Sequence, residues 1–150
     1  MTIDDLAAEF ARLSLPRFDE ATALRLGAIL MELSRGKPVV ISIRNAHRTF
    51  FHAALPGSQA ENDLWARRKG NLALFTGRPS MLSTLQFALK GRSLAEAGLS
   101  EADHALSGGS VPVVVRHVGL VAVATVSGLP QEEDHKLVVR GIEALMAELA

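Results

Sequence analysis

Leu6, Phe10 and Leu13 recur at helical spacing near the start of the chain, and Pro16 closes that segment because its ring clashes with the preceding turn. A short, exposed first helix is expected, free to move or to touch a partner. Asp19 stands where a helix needs an N-cap, and Ala23, Leu26, Leu30 and Leu33 then share one face until Arg35 and Gly36, with Pro38 beyond. The pattern changes to β-branched and aromatic residues over Val39 to Arg44 and Thr49 to Leu55. These flank Asn45-Ala46-His47-Arg48, where asparagine tolerates the left-handed backbone of a hairpin turn. Helical spacing resumes from about Asn62 to Phe75 and closes at Gly77 and Pro79, and a further helix is expected from Met81 to Lys90.

Ser93-Leu94-Ala95-Glu96 has capping-box spacing, which predicts one or two turns ending near Gly98. Val111 to Arg116 and Leu120 to Ser127 read as a second hairpin, turning at His117-Val118-Gly119. Leu120 to Val126 is apolar on both faces, so it belongs at the centre of a sheet covered on both sides. The last helix starts at Pro130, with Glu132, Glu133 and Asp134 suiting its positive end and Val138, Ile142, Leu145 and Leu149 forming its stripe. The pattern therefore predicts one α+β domain over residues 1–150, an antiparallel sheet of two hairpins with helices on both faces.

Composition narrows the chemistry. The absence of cysteine removes disulfides, thiolate nucleophiles and thiolate-held metal centres; histidine and carboxylate sites stay open, with no metal-binding residue assigned. Sixteen basic and sixteen acidic residues cancel, and no basic cluster suits a nucleic-acid backbone. The N-terminus is acidic where a secretion signal is positive, and the longest apolar run, near Val118 to Val126, is too short to cross a bilayer, so a cytoplasmic location and no membrane partner are expected. No glycine-rich phosphate loop, nucleophile elbow or metalloprotease pattern occurs. An enzymatic role is left open, with no catalytic residue assigned.

The segment Glu61 to Lys69 concentrates the candidate chemistry. Arg67 has Asp63 four residues back, a solvated helix pair. Arg68 and Lys69 lack such an acidic neighbour, so a countercharge must come from another segment, another subunit or a ligand. The plainer reading is that Arg68 stacks on Trp65 and Lys69 runs along apolar surface to water. Gly70 in mid-helix implies a close approach, for which a neighbouring helix is the expected occupant. Counting back from a four-residue loop puts His52 opposite Ile41 on an apolar face, either as a satisfied core imidazole or as a ligand or acid–base group. Asp134-His135 is either a carboxylate-oriented imidazole or a histidine offsetting three crowded carboxylates. Gly108-Gly109 permits a close backbone approach or simply a turn.

Three stretches carry a resemblance: Asn62-Asp63-Leu64-Trp65 with Arg67-Arg68-Lys69, then Gly108-Gly109-Ser110-Val111-Pro112-Val113, then Val126 through His135. They resemble an uncharacterised branch of the haem-degrading-like domains, alongside HbpS, GlcG and the C-terminal domain of PduO. The resemblance implies a profilin-like fold with a sheet of about five strands, where the residue pattern counts four. It also implies assembly into homodimers or larger homo-oligomers and haem as a cofactor in some relatives. No catalytic role comes with it. Ser110-Val111 departs from the alanine and phenylalanine usual after the glycine pair, which bears on pocket shape.

Two functions follow. The first is a small-ligand binder holding haem or another carboxylate-bearing molecule, with Asn62, Asp63, Trp65, Arg68, Lys69, His52, Gly109, Asp134 and His135 as the candidate site. The second is a non-enzymatic interaction module acting as a homo-oligomeric scaffold, its first helix docking a partner.

Overall fold

The computed structural model describes all residues from Met1 to Ala150. Helices α1 (Ile3–Ala11) and α2 (Glu20–Leu33) precede the hairpin β1 (Val40–Arg44) and β2 (Thr49–Ala54). Helices α3 (Ala60–Thr76) and α4 (Ser80–Leu89) and a 3-10 turn at Ala95–Ala97 follow, and the chain ends with β3 (Ser110–Val115), β4 (Gly119–Ser127) and α5 (Gln131–Leu149). The sheet is antiparallel in the order β2-β1-β4-β3, so β4 lies inside it as its two-sided apolar pattern requires. Four strands, not the five of the resemblance, complete the sheet. No helix is long and apolar enough to cross a membrane.

The faces of the sheet differ in chemistry. Ile41, Ile43, Val111, Val113, Ala124 and Val126 meet α2 and α5 through Leu26, Leu30, Val138, Ile142 and Leu145 in one large apolar core. The opposite face, under α3, is small and hydroxylated. Thr125 pairs with both Ser42 and Ser110 across the strands, and its hydroxyl donates to Ser110 Oγ at 2.8 Å. Such a face leaves room for polar side chains from α3.

The first hairpin corrects the expected register. Arg44 pairs with Thr49, but the next pairs are Ile43 with Phe51 and Ser42 with His52, because Phe50 bulges out of the ladder. A one-residue slip moves every later side chain to the other face. Phe50 and Phe51 thereby both pack against the large core, which regular pleating forbids for successive residues. The close seat of Phe51 requires Gly27, where an added Cβ meets the ring at 2.5 Å. Asn45 serves its turn with a side chain that accepts from His47 N and Arg48 N, and its own backbone stays out of the left-handed region.

The first helix is not free. Leu6 is fully buried beside Met81 and Leu82 of α4, and Leu15 bonds along the outer edge of β3, accepting from Arg116 N at 3.0 Å and donating to Val114 O at 2.8 Å. Its apolar spacing marks a docked face, so a truncation through Leu15 opens the fold and does not simply remove a partner contact. Leu6→Ala is expected to destabilise the domain by about 2–5 kcal/mol through the cavity it leaves. Urea unfolding checks this, and a midpoint equal to that of the unsubstituted protein would restore the mobile helix.

Candidate functional site

The candidate residues divide into a sealed knot and an open cleft. In the knot, Lys69 reaches from the middle of α3 to the first turn of α5, where its Nζ donates to Asp134 Oδ2 at 2.9 Å and approaches Val126 O at 3.4 Å. Asp134 also accepts from Leu129 N at 3.0 Å and Gly128 N at 3.3 Å. The two side chains are 4% and 0% exposed, so the pair meets no solvent. Gly109, at φ +130°, lies against it, and a Cβ there stands 3.0 Å from Lys69 Nζ and 2.5 Å from Val126 O. The countercharge expected for Lys69 does come from another segment, but its burial closes the site to a ligand.

Burial holds the Lys69 ammonium below its ordinary value against the attraction of Asp134, and burial raises the Asp134 carboxyl against the pull of Lys69 and the two N–H donors. The folded state therefore takes the Asp134 proton earlier as pH falls and releases the Lys69 proton earlier as pH rises. Each shift costs stability at neutral pH and is relieved toward its own extreme.

The remaining candidates are held by neighbours within the chain. His135 is buried and its Nε2 donates to Glu9 Oε1 of α1 at 2.7 Å, while its Nδ1 is buried without a partner. The carboxylate that orients His135 is Glu9 of α1, not Asp134 of its own turn. Arg68 stacks over Trp65 at 4.7 Å and donates to Glu101 O at 2.9 Å, so it faces no shared site with Lys69. Asn62, at the third position of α3, accepts from the N-cap Gln59 N at 2.8 Å as half of a capping box. The Arg67–Asp63 pair does not form. Arg67 bonds Asp103 at 2.7 Å, and Asp63 accepts instead from His52 Nε2 at 2.7 Å.

The cleft opens between the first hairpin and α3, with a volume of about 460 Å³. His52 faces it, opposite Ser42 on the polar face, where the bulge and not a four-residue loop has put it. Asp63, Arg67 and Asn71 line one wall from successive turns of α3, and Arg44, His47 and Arg48 come from the hairpin. Arg48 reaches Glu20 at 3.2 Å and Arg67 has Asp103, but half-buried Arg44 has no carboxylate. Its Nη2 donates to Asn71 Oδ1 at 2.8 Å and to Arg67 O at 3.0 Å, both neutral acceptors. Burial first, and Arg67 second, hold its guanidinium below the ordinary arginine value. Gly70 makes this seat possible, since a Cβ there stands 2.8 Å from Arg44 Nη2, so the mid-helix glycine accommodates an arginine and not a neighbouring helix. That glycine was the sequence signal for Arg44, which was missed with Arg48 and Asn71.

A model of the family described as haem degrading protein HbpS-like matches residues 18–143. The chain belongs to the HbpS-like family. A UPF0303 protein of Streptomyces coelicolor is 43% identical over 150 residues, covering 98% of this chain and 95% of the relative. A UPF0303 protein of Rhizobium etli is 40% identical over 154 residues, covering 99% and 94%. Among solved structures, the Ybr137w protein superposes with a TM-score of 0.90 at 27% identity, over 99% of this chain and 90% of that one. A PduOC–haem complex superposes at 0.71 with 20% identity over 85% and 94%, which shows that the HbpS-like fold is shared.

Lys69→Met is expected to cost about 3–5 kcal/mol by leaving Asp134 buried without its cation. Adding Asp134→Asn to that variant should recover most of the loss, because the amide still accepts from the turn and carries no charge. Guanidinium unfolding of both at neutral pH checks the pair, and an unaffected Lys69→Met would mean the charges contribute nothing to the architecture.

Proposed function

We propose that this HbpS-like domain binds a small anionic molecule, a carboxylate in the first instance, in the cleft between the first hairpin and α3, with Arg44 as its anchor. The observation that carries this is the half-buried Arg44 guanidinium, seated against Gly70 among neutral acceptors in a cleft whose other arginines already have carboxylate partners. A charge desolvated without a counterion is costly, and a planar fork suits a carboxylate. His47, Arg48 and His52 stand on the same rim to complete the anion's hydrogen bonds.

Haem itself is a poorer match to these residues. Its propionates suit Arg44, but only two of the twelve residues lining the cleft are hydrophobic, the alanines at 46 and 66, and a macrocycle needs apolar walls on both faces. His52 and His135 each hold a carboxylate with Nε2. The ligand supported here is a smaller, more polar acid.

Malonate is expected to raise the melting temperature by about 5 °C or more at a hundredfold excess over its Kd, a rise lost in Arg44→Ala and retained in Arg68→Ala. Arg44→Lys should keep only part of it. No shift with malonate, succinate or phosphate, or a full shift without Arg44, would end the proposal. In a haemin titration, His52→Ala and His135→Ala should leave the Soret spectrum as it is with the unsubstituted protein, and a changed band in either assigns that imidazole to iron.

The second reading, a homo-oligomeric scaffold, has support on the outer face of α2. Leu24 and Met31 are 55% and 41% exposed, and Met31 borders a groove of about 620 Å³ with Leu55 and Pro56. Met31→Asp is expected to shift the protein to a smaller species in size-exclusion chromatography with light scattering. A monomeric unsubstituted protein would dispose of that reading.

A further inference from the structure

A second cavity, sharing no lining residue with the cleft, lies at the C-terminal end of α4 against the start of α1, with a volume of about 210 Å³. That is below the roughly 300–1,000 Å³ of pockets for drug-sized molecules, so its occupant is small. Arg78, Lys90 and Arg92 converge on it, and no carboxylate lines it. None of the three belongs to any ion pair of the chain. Lys90 and Arg92 follow α4 and suit its negative end. Arg78 sits between α3 and α4, where the negative end of the first favours a cation and the positive end of the second opposes it, and neither helix end supplies a counterion.

Two atoms of the lining residues are unsatisfied. Arg78 Nε, a donor, and Gln86 Oε1, an acceptor, are buried from water with no hydrogen-bond partner. Such groups are rarely left alone in a folded protein. An entering molecule can meet them only after these long side chains rotate. The rest of the wall is apolar, from Ile3, Phe87 and Leu89, with Arg92 held over the Phe87 ring at 5.3 Å.

The occupant must bring negative charge for the three cations, a donor for Gln86 and a short apolar part for the wall. We propose that this cavity is a second binding site, for a short-chain carboxylic acid carrying a hydroxyl next to the carboxylate. The carboxylate accepts from Arg78 with Lys90 or Arg92 beside it, the hydroxyl donates to Gln86 Oε1, and the alkyl tail lies against Phe87 and Leu89. The placement is independent of Arg44.

Isothermal titration of the full chain with α-hydroxyisocaproate tests it, with isocaproate as the matched acid that lacks the hydroxyl. The hydroxy acid is expected to bind, and isocaproate about fivefold more weakly for the missing hydrogen bond. Arg78→Ala should weaken binding by about tenfold to a hundredfold, the range of a lost charge-assisted bond. Gln86→Leu should bind the two acids equally, and a site of undiminished affinity should remain in Arg44→Ala, which lacks the anchor of the cleft. Should Arg78→Ala fail to fold, Arg92→Gln takes its place with the same direction of effect. Absence of heat at millimolar hydroxy acid, undiminished binding in the Arg78 or Arg92 variant, or loss on Arg44→Ala would each overturn the assignment, the last by moving the acid to the cleft.

Discussion

The buried ion pair between Lys69 and Asp134 is the constraint around which the polar half of this domain is arranged. It crosses from the middle of one helix to the first turn of another, and every group around it has to fit a charge held away from water. The two N–H donors at Gly128 and Leu129 and the carbonyl of Val126 supply the hydrogen bonds that make such burial tolerable. Close packing around them leaves no space for side chains at positions 109 and 128. A Cβ on Gly128 meets Pro38 O at 2.4 Å, and φ is +151° there and +130° at Gly109. A pair whose desolvation outweighs its attraction contributes geometry more than stability.

That geometry sets the rotational phase of α3. With Lys69 turned inward, Asp63, Arg67 and Asn71, each four residues from the next, present one ladder to the first hairpin, and Gly70 comes against Arg44. The hydroxylated face of the sheet beneath α3 accepts a buried lysine and a half-buried arginine where the apolar face could take neither. The closed knot and the open cleft are thus two consequences of one helix orientation, and the bound anion proposed for Arg44 completes a charge balance that Asp134 completes for Lys69.

Most of the fold was legible in residue pattern, because its elements end on residues with one physical meaning. Asp19, Gly77 and Pro130 mark helix ends where the structure has them, whereas the first helix stops at Ala11, short of Leu13 and Pro16, and the two-sided apolar run of β4 placed it inside the sheet. The site was less legible because it depends on a single extra residue. A loop count that is right for Arg44 and Thr49 fails at Phe50. The signal was the Phe50-Phe51 pair, two large apolar residues in succession on a strand that alternates. Arg67 illustrates a second limit, since a partner four residues away on the same helix loses to Asp103 and leaves Asp63 for His52. Helical spacing gives candidates for pairing, and tertiary competition chooses among them.

The motifs that carry the family resemblance concentrate in the knot: Lys69, Gly109, the turn at Gly128 and Asp134-His135 hold helices and sheet together. Of the cleft, they include Asp63 and Arg67, while Arg44, Arg48 and His52 come from a hairpin outside the three stretches that carry the resemblance. Residues that must enclose a buried charge have few alternatives, whereas residues lining an open cleft can change with the molecule it holds. A common HbpS-like architecture therefore does not impose a common ligand. The haem of one solved relative and the small polar acid inferred here are compatible on one scaffold, because the part that fixes the fold and the part that meets the ligand are different residues.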